Sequence, residues 1–159
     1  MVEIIKRFNL LGGHQKLNEF PCIAYFLNKK EYNKLLIQSY ILNQFPNRKP
    51  TSSLIRLFER TKPELIMSKK ELKVYQKLPQ KLKVFRGVED NKTKIKGLSW
   101  TLSKEKADWF ANRFKTEGKT YEAIIDKKYI FCYTNERQEE EVILNPFKLK
   151  NIWMVLKYE

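Results

Sequence analysis

The apolar pattern changes period at Pro79, and that change limits the chain more than any other feature. From Lys29 to Phe45 the apolar residues fall at Tyr32, Leu35, Leu36, Tyr40, Ile41 and Leu42, with Ile37 filling the stripe, which is helical spacing. Pro46 and Pro50 close that helix. Ser52 or Ser53 caps a shorter one, Leu54 to Arg60, and Pro63 opens another that runs to about Leu78. From Leu82 onward the runs are short and alternating, as in strands. A chain of 159 residues holds one domain with a real core. The expectation is therefore an α+β domain over 1–159, with a mostly helical N-terminal lobe at 1–80 and a β-rich core at 81–159.

Charge and side-chain inventory exclude several kinds of chemistry. The formal net charge is +14, a field that attracts nucleic acid, acidic proteins or anionic small molecules without choosing among them. Cys22 and Cys132 lie far apart and outside any metal-ligand spacing, which points to a reducing compartment and no zinc. His14, the one histidine, sits beside Gly12 and Gly13 and reads as a loop residue. No apolar run approaches a membrane span, and Met1-Val2-Glu3 begins no signal peptide, so a soluble, cytoplasmic protein is expected. Cys-His or Ser-His catalysis does not fit this inventory, and an enzyme built from it relies on carboxylates, arginine and hydroxyls.

Three segments of the second half carry such groups in order. Lys83-Val84-Phe85-Arg86-Gly87 reads as a strand with an arginine near its end and a glycine that frees the backbone to turn. In Gly97-Leu98-Ser99-Trp100-Thr101-Leu102-Ser103, alternation puts Ser99, Thr101 and Ser103 on one face and Leu98, Trp100 and Leu102 on the other. Ser103 then caps a helix, Lys104 to Phe114, with Ala107, Phe110, Ala111 and Phe114 as its apolar face. Strands follow at Tyr121 to Asp126 and Tyr129 to Tyr133, then a polar turn from Thr134 to Gln138. Glu139-Glu140-Glu141 next runs straight into the strand Val142-Ile143-Leu144. Alternation gives Glu139 and Glu141 one face and Glu140 the other. Like charges side by side on an ordered strand cost stability, and something must offset that cost. Phe147 to Tyr158 completes the sheet.

An arginine ending one strand, a hydroxyl pair on a second and a glutamate pair entering a third resemble the arginine-serine-glutamate class of mono-ADP-ribosyltransferases. The resemblance covers about Leu82 to Tyr158, including the helix at Ala107-Asp108-Trp109-Phe110-Ala111. It implies an ADP-ribosyltransferase-like split β-sandwich that binds NAD as substrate in a cleft between two small sheets. It also implies cofactor contacts from Arg86, Gly87, Ser99 and Thr101, with catalysis by Glu141 and Glu139. Glu141 would stabilise the positive charge that develops on the ribose as neutral nicotinamide leaves. Arg86 would fork onto a phosphate. Ser99 and Thr101 would steady Glu141 and the ribose, and Glu139 would act on the incoming nucleophile. In the family, glutamate at that position goes with arginine acceptors, and the turn Thr134 to Gln138 occupies the place of the acceptor-recognition loop. The implied function is transfer of ADP-ribose to a macromolecule, most simply protein arginine on an acidic surface, in a compact enzyme of the kind a bacteriophage deploys against its host. The same fold acting on nucleic acid, or a non-catalytic basic binding protein with a degenerate pocket, are the other readings.

Overall fold

The computed structural model describes residues 2–43, 49–89, 95–114 and 117–155. The chain divides into two compact units, Met1–Ile66 and Met67–Glu159. The division falls before the change of period at Pro79, because the last helix of the first half packs on a strand of the second unit.

The first unit holds α1 (Val2–Asn9), α2 (Gly13–Ile23), α3 (Lys29–Ile41), α4 (Thr51–Phe58) and α5 (Pro63–Ile66). Asn28 begins α3 by accepting from the Glu31 amide at 2.9 Å, while the Glu31 carboxylate accepts from the Asn28 amide at 3.1 Å. The core gathers Leu17, Phe20, Tyr32, Leu36, Tyr40 and Phe58, all buried. Phe20 meets Tyr32 edge-on at 5.1 Å and Tyr40 meets Phe58 at 5.2 Å, the arrangement that aromatic quadrupoles favour.

Two sequence expectations change here. His14 lies in the first turn of α2 rather than in a loop, since Gly12 and Gly13 start a helix instead of ending structure. α4 starts at Thr51 from Pro50, with no side-chain cap from Ser52 or Ser53. α3 ends at Ile41 with Leu42 as its C-cap, short of the expected Phe45, and the last strand ends at Met154, short of Tyr158; Phe45, Pro46, Lys157 and Tyr158 themselves lie outside the described residues.

The helix read as continuous from Pro63 to Leu78 is interrupted. Ser68 opens a separate helix, α6 (Lys69–Lys77), by a reciprocal pairing with Glu71. The Glu71 amide donates to Ser68 Oγ at 3.3 Å, and Glu71 Oε2 accepts from the Ser68 amide at 2.9 Å.

The second unit is one antiparallel six-stranded sheet in the order β4-β5-β2-β1-β3-β6, with α6 and α7 packed on it. The strands are β1 (Lys81–Val88), β2 (Ser99–Thr101), β3 (Lys119–Asp126), β4 (Ile130–Thr134), β5 (Glu141–Leu144) and β6 (Lys150–Met154); α7 is Lys104–Asn112. β1 and β3 pair along their full length, from Lys81 opposite Asp126 to Val88 opposite Lys119. By contrast, among the described residues β1 meets β2 in register at one pair, Phe85 opposite Thr101. β5 is buried along its whole length, which explains its unbroken apolar run after Glu141. β6 forms an edge with Trp153 and Met154 exposed.

Ser103 caps α7 as expected, accepting from the Lys106 amide at 3.3 Å. Ala107 and Ala111 are buried against the sheet, whereas Phe114 is exposed. Gly87 does not turn the chain. It stays inside β1 opposite Thr120, its φ negative, and a Cβ there would collide with the Ala107 carbonyl oxygen and the Ala111 nitrogen of α7. Its lack of a side chain is what lets helix and strand approach closely. Gly87→Ala should therefore push α7 off the sheet at a cost of about 1–3 kcal/mol, read as a lower Tm in thermal circular dichroism.

Candidate functional site

The sheet register assembles the second unit's polar groups. Phe85 faces Thr101, Thr101 faces Glu141, and Glu141 faces Thr134, so these four share one face across β1, β2, β5 and β4. Ser99 lies on the same face two residues back along β2, and Arg86 alternates to the other face.

Arg86 is buried, and its Nη1 donates to the Ser99 carbonyl. Because β1 and β2 have so little ladder between them, this side-chain bond is a second tie between the strands. Thr101 is also buried. Its hydroxyl donates to the Glu139 carbonyl at 2.7 Å and accepts from the Ser103 amide at 3.1 Å. It therefore fixes the backbone of Glu139 rather than the carboxylate of Glu141, because the chain before β5 bends back over β2. The Leu102 amide, donating to the Glu140 carbonyl at 3.0 Å, holds the same crossing.

Glu139 and Glu141 do converge, though not by strand alternation. Gln138 (φ 58°) and Glu140 (φ 47°) occupy the left-handed region, which costs about 1–2 kcal/mol for a residue with a Cβ. These two positive φ angles kink the approach to β5 and leave Glu140 exposed. Asn135 stabilises the kink: its Oδ1 accepts from the Glu140 amide at 2.9 Å and its carbonyl from the Gln138 amide at 3.0 Å. The Asn135 amide donates in turn to Glu71 Oε1 at 3.1 Å, anchoring the turn to the start of α6. Burial works against the ionised Glu71, but bonds from Ser68, Thr134 and Asn135 outweigh it and hold this carboxyl below its usual range.

Arg137 is the cation that the glutamates require. Its Nη2 lies 2.9 Å from Glu139 Oε2 and 3.0 Å from Glu141 Oε2. The Arg137 side chain is 44% exposed, that of Glu139 21% and that of Glu141 only 6%. Removing the guanidinium would leave Glu141 as a buried charge. For a fully buried pair that loss is about 3–5 kcal/mol, and the half-exposed arginine puts this one below that range.

The second oxygen of Glu141, Oε1, is buried with no hydrogen-bond partner among the described residues. A buried carboxylate oxygen is costly unless it is satisfied, so it calls for a donor from elsewhere. Burial pushes the Glu139 carboxyl above its usual range; Arg137 opposes this, and Glu141 adds to it.

Sequence reasoning did not single out Arg137, Asn135 or the Ser68–Glu71 pair. The Ser-x-x-Glu spacing at 68–71 is a capping signal legible in the chain. For Arg137 the signal was its place two and four residues before the glutamates. Cys132 is buried on the same face as Ile143 and Glu141, and its thiol is pushed well up by burial, then by Glu141 and Glu71, which disfavours the thiolate. Tyr133, just before the turn, is buried.

Among the described residues no group of three or more His, Cys, Asp or Glu side chains could hold a metal ion, and no helix is long and apolar enough to cross a membrane. No family model, curated protein or solved structure matches this chain.

Glu139 and Glu71 should respond to pH in opposite directions. A carboxyl raised in the folded state detracts from stability above its folded value; the deficit fades as pH falls through that value and is gone below the ordinary glutamate value of 4.5. Glu139→Gln should therefore raise Tm at neutral pH and lose that advantage in acid. Glu71 is lowered, so its contribution is present above the ordinary value and disappears as pH falls through the lowered one. Glu71→Gln should destabilise the protein at neutral pH and matter little in strong acid. Ser68→Ala should cost about 1 kcal/mol through the lost cap. Thermal melts of each variant across a pH series check all three.

Proposed function

We propose that this chain is an NAD-dependent mono-ADP-ribosyltransferase acting on a macromolecular acceptor, with protein arginine as the preferred group. The observation that carries the reading is the glutamate pair: two carboxylates gathered on one guanidinium nitrogen, one of them buried with an oxygen that lacks a hydrogen-bond partner among the described residues. A carboxylate sheltered from water is suited to stabilise an oxocarbenium-like ribose, since charge acts more strongly where solvent is excluded. Glu141 takes that role, and its Oε1 is the acceptor for a ribose hydroxyl. Glu139, more exposed and with its carboxyl held above the usual range by burial, takes the proton of the incoming nucleophile.

The strands form one six-stranded sheet rather than two small ones, so the split-sandwich reading requires that sheet to part between β1 and β2 into β1-β3-β6 and β4-β5-β2. Thr101 contributes by positioning Glu139. Arg86 contributes by holding β2 through Ser99; forking onto an NAD phosphate would require exchanging that carbonyl for the ligand. The net charge of +14 favours an acceptor with an acidic or phosphate-rich surface.

Labelled NAD incubated with the protein and a cell lysate should place label in protein. Label in nucleic acid would move the acceptor there, and release of neither nicotinamide nor label would leave a basic binding protein. NAD should raise Tm, because a ligand held only by the folded state stabilises it. Glu141→Gln should lower both transfer and NAD hydrolysis by about two to three orders of magnitude. Glu139→Gln should lose transfer to arginine and keep much of the hydrolysis, whereas Glu140→Gln, exposed and outside β5, should change little. Nicotinamide release by each variant, measured after circular dichroism has verified the fold, decides between these roles.

A further inference from the structure

We infer that Arg137 is itself an ADP-ribose acceptor, modified at Nη2 by the glutamate pair of its own chain. This rests on the transferase reading above and names one substrate of that site. Nη2 touches both carboxylates, at 2.9 Å from Glu139 and 3.0 Å from Glu141. An acceptor nitrogen must stand in that position: against the group that takes its proton, and beside the group that lies under the reacting carbon. The placement is built into the backbone. Asn135 and Glu71 pin the turn, and the left-handed residues Gln138 and Glu140 flank Glu139. The buried Glu141 Oε1 still lacks a donor among the described residues, so the pair retains an acceptor for a ribose hydroxyl while its other oxygen holds the guanidinium. Arg137 is half exposed, which leaves its attached group a route to solvent.

The step balances. The bond from ribose C1′ to the nicotinamide nitrogen breaks, and its electron pair leaves with neutral nicotinamide. The Nη2 lone pair forms the new bond to C1′, and the Nη2 proton passes to Glu139 and then to water. NAD and protonated Arg137 thus give ADP-ribosylated guanidinium, nicotinamide and a proton. Burial holds the Glu139 carboxyl above its usual range, which makes it a better proton acceptor than an ordinary glutamate. A nucleophile fixed in place needs no encounter, and this favours the internal arginine over any acceptor from solution. The modified side chain then remains at the mouth of the site, so self-modification is also self-limiting.

The test is to incubate the full chain with labelled NAD, follow nicotinamide release, and map the label by peptide mass spectrometry. Expected is one ADP-ribosyl group on Arg137, formed with a first-order rate independent of protein concentration and accompanied by an initial burst of nicotinamide. Arg137→Lys, which keeps the charge between the glutamates, should carry no label at that position. Nicotinamide release with Arg137 unmodified, or with label on another arginine such as Arg113, overturns the inference and leaves the transferase reading standing. A rate that rises in proportion to protein concentration overturns modification within one chain. No nicotinamide release from the parent protein removes both readings. The peptide map of the parent protein decides the matter even if the lysine variant does not fold.

Discussion

Two carboxylates cannot share the entrance to a buried strand unless a cation stands between them, and the geometry around β5 follows from that requirement. Arg137 supplies the cation, but a side chain four residues before Glu141 can reach back only if the backbone folds over itself. The left-handed residues Gln138 and Glu140 produce that fold, Asn135 compensates it with hydrogen bonds, and Glu71 fastens the turn to α6. Thr101 closes the arrangement from β2 by binding the Glu139 carbonyl. Each link exists to present or neutralise the same pair of charges. Strained backbone residues cluster at sites where surrounding structure over-determines them, and here the surrounding structure is a short list of polar contacts.

Much of the fold was legible because period and punctuation agree. Helical spacing identified α3, alternation identified β1, β3 and β4, and Ser103 marked the start of α7. What sequence reading lost was local competition. Ser68 could continue a helix or cap a new one, and its pairing with Glu71 decided for the cap. Gly12 and Gly13 read as a break, yet the same glycines lead into α2. Gly87 read as a turn because glycine permits one; in fact a neighbouring helix needed the space.

The candidate site was legible in residue type and less so in geometry. Glu139 and Glu141 were picked out for their unfavourable placement, and they do converge. Alternation was the wrong reason, because it assumes an extended backbone that positive φ at Glu140 denies. Arg86 and Thr101 could be named from spacing, but not the partners their polar atoms choose, since register between distant strands sets those partners. The cation between the glutamates went unnoticed for the same reason: a turn residue's reach depends on torsions that a one-dimensional pattern does not encode.

The narrow junction between β1 and β2 divides the sheet energetically as well as visually. Among the described residues the paired length of β1 and β3, stiffened by α7, is far greater than the ladder between β1 and β2, which shows one register pair. Free energies of local opening follow the density of buried contacts and ladder bonds. The seam between β1 and β2 is thus where local opening of the sheet should come first. Amide exchange would trace that seam, with the β1–β3 ladder slow and the amides of β2 reporting how often the halves part.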